Sequence, residues 1–253
     1  MEFFSLLLST FIGAFAAFST NRLLDQARKY QEKIVSGNLA LITLKNQCNE
    51  FLLFRRSFYL DVDFVSKGSA VPLWALIRPA FLSFGKYEID FKSIGFLLSN
   101  KQNGKLFDII ELVQISHRDL IAMNDLRTIN AQIIQQKISD FEKDKPADSW
   151  LAIEHEVGGN LTSLMKMLAI GMALRAEENE LVYFEAITKC RAALEKSLDG
   201  YWPNKIKKFL GLKVSYALIE VGGPEEVFRK ENLPKLPDNL LKEVSLSKGG
   251  NPQ

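Results

Sequence analysis

SLLLSTFIGAFAAFSTNRLL, residues 5 to 24, is the stretch on which the reading of this chain turns. From Phe3 to Ser19 no side chain carries a charge. A helix continuing to Leu24 reaches the ~20 residues needed to cross ~30 Å of hydrocarbon. Three roles compete for it: a membrane anchor, a cleaved export signal and a buried core helix. Ala14-Phe15-Ala16 offers an A-x-A-like cleavage site, but a secretory signal carries its positive charge before the apolar run. Here only Met1 and Glu2 precede it, whereas Arg22, Arg28, Lys29 and Lys33 follow. By the positive-inside rule these residues hold the following chain in the cytoplasm and leave the short N-terminus outside. The stretch therefore predicts a single-pass anchor in the inner (plasma) membrane, with membrane lipid as its first partner.

Within the anchor, Ser5, Ser9, Gly13, Ala17 and Asn21 recur every four residues and form a stripe of small side chains ending in an amide. Such a stripe lets two helix backbones approach closely, and in lipid that packing drives association. Phe4, Phe11, Phe15 and Phe18 cover much of the remaining surface. The pattern predicts a homo-oligomer assembled through the anchor.

Composition narrows the rest. With 253 residues, 47% of them hydrophobic and 25% charged, the chain is globular rather than disordered. Its 32 basic and 30 acidic side chains leave a net charge of +2, too little for a field that would gather nucleic acid. Cys48 and Cys190 stand alone, without a CxxC pair, and predict buried thiols in a reducing compartment. No cofactor or metal motif emerges.

Beyond the anchor the pattern is helical. Asn21 to Tyr59 lacks proline, and Leu24, Ala27, Ile34, Leu41, Leu44, Cys48, Phe51, Leu52 and Phe58 recur at threes, fours and sevens. Residues 25–60 read as a juxtamembrane helix, with Ser36-Gly37-Asn38 a predicted break because glycine costs ~1 kcal/mol in a helix interior. Its charged face, Arg28, Lys29, Lys33 and Lys45, reads as solvated, its membrane-proximal part facing anionic lipid. Residues 61–221 read as the bundle. Its first part, 61 to 104, is irregular, and Trp74, Phe81, Phe84, Phe91 and Phe96 read as core. A long helix follows from Lys105 to Phe141, with Leu106, Ile110, Val113, Leu120, Ile129 and Ile133 among its apolar positions. Glu142 to Pro146 is a charged turn, Asp148 and Ser149 are candidate caps, and residues 151 to 198 form one helix or two broken near Arg175 to Glu180.

Three strings imitate chemistry. HRDLIAMN, His117 to Asn124, matches the kinase catalytic loop H-R-D-L-x-x-x-N, with Asp119 in the base's place. It lies inside continuous helical periodicity, and the chain has no glycine-rich phosphate loop and no D-F-G. The match reads as accidental, with His117 and Asn124 polar residues at a helix interface. His155 in EHEVGGN lacks the second histidine of H-E-x-x-H, and Gly158-Gly159 reads as a kink or a close helix contact. Asn160-Leu161-Thr162 is a glycosylation sequon that a cytoplasmic domain never exposes to the modifying machinery.

YWPNKIKKFLGLK, residues 201 to 213, reads as closing the bundle. Residues 222–253, with Pro224, Pro234, Pro237 and Pro252, predict a mobile tail. The expectation is an all-α protein: residues 1–24 a single N-terminal transmembrane helix, followed by a cytoplasmic helical bundle of long helices. The function expected is that of a non-enzymatic interaction protein, a scaffold, sensor or effector subunit with a protein partner. The alternatives are a membrane-perturbing effector, for instance of an antiviral system, and an enzyme whose site assembles from scattered residues.

Overall fold

The structure is a computed structural model that describes residues 2–66, 75, 85, 87–99, 103–142, 150–177 and 181–219; side chains 2, 3, 5–7, 63–66, 98, 99, 141, 142, 150 and 151 are outside that description. All regular structure among them is helical: α1 (Glu2–Ser66), a 3₁₀ turn (Gly95–Ser99), α2 (Gly104–Glu142), α3 (Trp150–Val157), α4 (Gly159–Ala176), α5 (Leu181–Asp199) and α6 (Trp202–Phe209). Two compact units are distinguishable. The first takes the chain up to Leu44 with Ile89–Asp108 and Ala186–Val221, and the second takes Lys45–Glu88 and Ile109–Glu185.

The register of α1 explains its length. Ile34, Gly37, Leu41, Leu44, Cys48, Phe51, Arg55, Phe58 and Val62 are buried in alternating steps of three and four, and Ala40, Gln47, Phe54 and Asp61 form a second buried column at every seventh position. This is the heptad seam by which long helices pack side by side. The break predicted at Ser36-Gly37-Asn38 does not occur. Gly37 occupies the seam in the first unit, where a Cβ would stand 2.5 Å from Leu194 Cδ2 of α5. The helix tolerates glycine because any side chain there must displace a fully buried leucine. Asn38 points the other way and clamps an extended segment: its Nδ2 donates to Ala217 O at 2.8 Å, and Ile219 N–H donates to its Oδ1 at 2.9 Å.

In the first unit α5 presents Ala186, Ile187, Cys190, Ala193, Leu194 and Leu198 to the core. Phe91 lies against Phe107 with ring centroids 5.7 Å apart. In the second unit Phe51 stacks on Tyr183 at 4.8 Å, and Tyr59 Oη donates to the Glu177 carboxylate. The stretch from 151 to 198 is divided twice. Gly158 adopts φ +93°, a conformation open to glycine, and ends α3; α4 then stops at Ala176. Lys137 Nζ donates to Val157 O at 3.0 Å and satisfies a carbonyl that the break leaves without a helical partner. Gly158 and Gly159 make a break rather than a close contact, since a Cβ on either meets nothing within 4 Å.

The apolar side expected for α2 is only partly the buried one. Leu106, Ile110, Val113, His117, Leu120, Asn124, Arg127 and Ile134 line the seam, whereas Ile129 and Ile133 are exposed along with Leu112 and Leu126. Among the described residues no helix is long and apolar enough to cross a membrane. The side chains of Phe3, Ser5, Leu6 and Leu7, part of the expected anchor, fall outside the described set, as do Trp74, Phe81 and Phe84, the turn at Glu142 to Pro146 with Asp148 and Ser149, and the tail 222–253.

Cys48 and Cys190 are buried and free, and burial pushes both thiols up to about 12. A native thiol then keeps its proton where the unfolded chain has lost it. The unfolded state binds fewer protons, so stability falls as pH rises from about 9 toward 12, by up to about 1.4 kcal/mol per pH unit for each thiol. Urea titrations at stepped alkaline pH check this. A Cys48→Ala/Cys190→Ala chain is expected to give a flatter profile, leaving the smaller part due to Tyr59, whose hydroxyl burial also pushes up to about 12.

Candidate functional site

The first unit carries a groove of about 470 Å³ where α1 passes the end of α5 and the start of α6. Lys29 and Lys33, one turn apart on α1, line one side, and Lys205 of α6 lines the other. Tyr30 and Tyr201 form its aromatic wall, with ring centroids 4.1 Å apart and planes 17° from parallel. The wall is locked from behind. Asn204 is buried, donating through Nδ2 to Tyr30 Oη at 3.2 Å and to Leu198 O at 3.0 Å. Pro203 in the first turn of α6 fixes that helix start, because its missing N–H falls where none is needed. Trp202 and Ser197 complete the rim.

The groove is basic because three lysines and no acid line it. Glu32 pairs with Arg28 at 3.3 Å, Glu195 with Arg191 at 3.1 Å, and Asp199 with Lys208 at 2.5 Å. None of those carboxylates lines the groove, and the lining set contains no acidic residue. Asp25 lies one turn toward the N-terminus from Lys29 and outside that set. Lys33 Nζ sits 5.3 Å above the Phe96 ring, a cation on an aromatic face. Of the four basic residues expected beside a membrane, the fold brings Lys29 and Lys33 together here; Arg28 is paired and Arg22 is exposed. Lys205, from the segment read as bundle closure, joins them, while Tyr201 and Asn204 do the closing.

The kinase-like string is dispersed by its own helix. His117 and Asn124 are seven residues apart and share the buried seam of α2, whereas Asp119, two positions on from His117, points elsewhere. His117 Nε2 lies 2.7 Å from Glu50 Oε2, and the Gly85 N–H donates to Glu50 Oε1 at 2.8 Å. Asp119 accepts from Arg175, whose Nη1 also donates to Ser116 Oγ at 3.2 Å. These contacts tie helices together. Among the described residues no group of three or more His, Cys, Asp or Glu is placed to hold a metal ion.

No family model, curated protein or solved structure matches this chain.

The anchor positions present two unlike faces. At 100° per residue Phe4, Leu8, Phe11, Phe15 and Phe18 fall within about 80° of arc, and Ser9, Gly13 and Ala17 lie opposite. Both faces are exposed, and a Cβ at Gly13 would meet nothing within 4 Å. The phenylalanines thus gather on one face.

Proposed function

We propose that this chain is a membrane-anchored, non-enzymatic interaction protein. Residues 3–24 hold it in the inner (plasma) membrane with the N-terminus outside, copies associate through the small-residue face of the anchor, and the helices after it engage a protein partner in the cytoplasm. The observation that carries this reading is the uncovered apolar surface of α1: Phe4, Leu8, Phe11, Ile12, Phe15 and Phe18 are all exposed, between 58% and 79%. A run of large apolar side chains on that scale needs lipid or another helix to cover it. Further along, Val35, Leu39, Leu53 and Leu60 on α1 and Leu112, Leu126, Ile129 and Ile133 on α2 are exposed too, an apolar supply for partner contacts.

Cross-linking in membranes at equal expression tests the assembly. Gly13→Leu puts a branched side chain where two backbones must approach, so it is expected to reduce cross-linked oligomers several-fold. Phe11→Leu, on the large face, should leave them unchanged. Insertion is not at risk, since leucine is favourable in a membrane helix by a few tenths of a kcal/mol. Identical ladders for wild type and Gly13→Leu would remove the stripe from the assembly.

A further inference from the structure

We propose that the Lys29, Lys33 and Lys205 groove is a binding site for a phosphomonoester group, presented by a membrane-lipid headgroup that carries one, as phosphatidic acid does. The lipid source rests on the anchored reading; the phosphate chemistry does not. Three lysines line one groove whose lining carries no carboxylate, while Glu32, Glu195 and Asp199 pair with Arg28, Arg191 and Lys208 outside it. A carboxylate ligand brings a single charge, whereas a phosphomonoester brings −1.5 to −2 charges and three acceptor oxygens, a closer match to three point-charge donors. Ser197 adds a hydroxyl donor beside them.

Depth brings one side of the groove to lipid. α1 is continuous from the anchor into the groove, so at 1.5 Å per residue Lys29 stands about 8 Å beyond Leu24, at the outer edge of the headgroup layer, and Lys33 about 14 Å beyond it, on the aqueous side. The stacked Tyr30 and Tyr201 rings and the exposed Trp202 are the amphipathic side chains that settle at such an interface.

The test titrates the full chain in neutral detergent micelles with phosphatidic acid, with phosphatidylcholine, and with soluble glycerol phosphate. Bound lipid is read by native mass spectrometry and Trp202 by fluorescence, with Trp202→Phe as blank. Saturable binding of phosphatidic acid over phosphatidylcholine is expected, weakened on the order of a hundredfold in Lys29→Gln/Lys33→Gln/Lys205→Gln and falling with salt. Lys29→Gln/Lys205→Gln, which spares the Lys33 contact with Phe96, should lose most of the affinity with helicity unchanged. Glycerol phosphate binding as tightly as the lipid would keep the phosphate site and overturn its lipid source. No preference for phosphatidic acid and no glycerol phosphate binding, or binding indifferent to the lysine substitutions, would overturn the site. Should alkaline carbonate extract the wild-type chain from membranes while lysine-dependent binding in micelles persists, the anchor alone fails.

Discussion

Asp61→Asn is expected to lower the unfolding free energy by about 3–5 kcal/mol, because it leaves a buried guanidinium without its counter-charge. Arg127 is 1% exposed in the seam of α2, and Asp61 is 5% exposed in the second buried column of α1. Burial holds the Arg127 pKa down to about 10 while the Asp61 charge opposes that shift, so the arginine is still charged at neutral pH. Its Nη1 lies 4.0 Å from Met165 Sδ. Asparagine keeps the shape of aspartate, removes the charge and exchanges one acceptor oxygen for an amide donor, so the loss carries the electrostatic part together with one acceptor. Replacing both partners, as Asp61→Leu/Arg127→Met, should cost far less than the sum of the single changes, because no orphaned charge is left. Chemical denaturation of the four chains supplies the cycle. A loss below about 1 kcal/mol for Asp61→Asn would mean that Arg127 draws its compensation from elsewhere.

The seam that places this pair was half visible in the residues. Ile34, Leu41, Leu44, Cys48, Phe51 and Phe58 announce a helical stripe, and each is buried. Gly37 and Arg55 fill two further positions of the same seam yet look like a break and a surface charge. A glycine belongs there only because Leu194 fills the space, and that leucine is far away in the chain. In α2 the misreading runs the other way. Ile129 and Ile133 satisfy the helical period as well as the buried set does, but the fold gives the seam to His117, Asn124 and Arg127, with His117 against Glu50 and Arg127 under the charge of Asp61. Period and hydrophobicity cannot rank two stripes when the deciding interactions are tertiary. The groove was hidden for the same reason. Lys29 and Lys33 read as a solvated face and Lys205 as part of a closing segment, and the three meet through tertiary contacts such as the stacking of Tyr30 on Tyr201.

Phe11→Arg/Phe15→Arg is expected to move the chain from the carbonate-resistant membrane fraction to the supernatant. The two positions are one turn apart on the large face of α1, 71% and 65% exposed, so nothing in the fold depends on them. The penalty arises in lipid alone. Each arginine near the centre of an inserted helix costs about 2.5–3.5 kcal/mol on insertion scales, and two together shift the partition by roughly ten-thousandfold. Neither position lies on the stripe of Ser5, Ser9, Gly13, Ala17 and Asn21, so the change separates anchoring from assembly. Phe11→Leu/Phe15→Leu, which keeps the apolar surface, should stay in the pellet, and all variants should unfold at the same denaturant concentration in detergent. A helix covered by a partner protein instead of by lipid behaves differently: carbonate strips such contacts, and the wild-type chain itself would then appear in the supernatant. Retention of the double arginine chain in the pellet would show that residues 3–24 are not what holds the protein there. Only lipid around the phenylalanine face makes wild type resistant and the arginine pair extractable, with an unchanged unfolding midpoint in both.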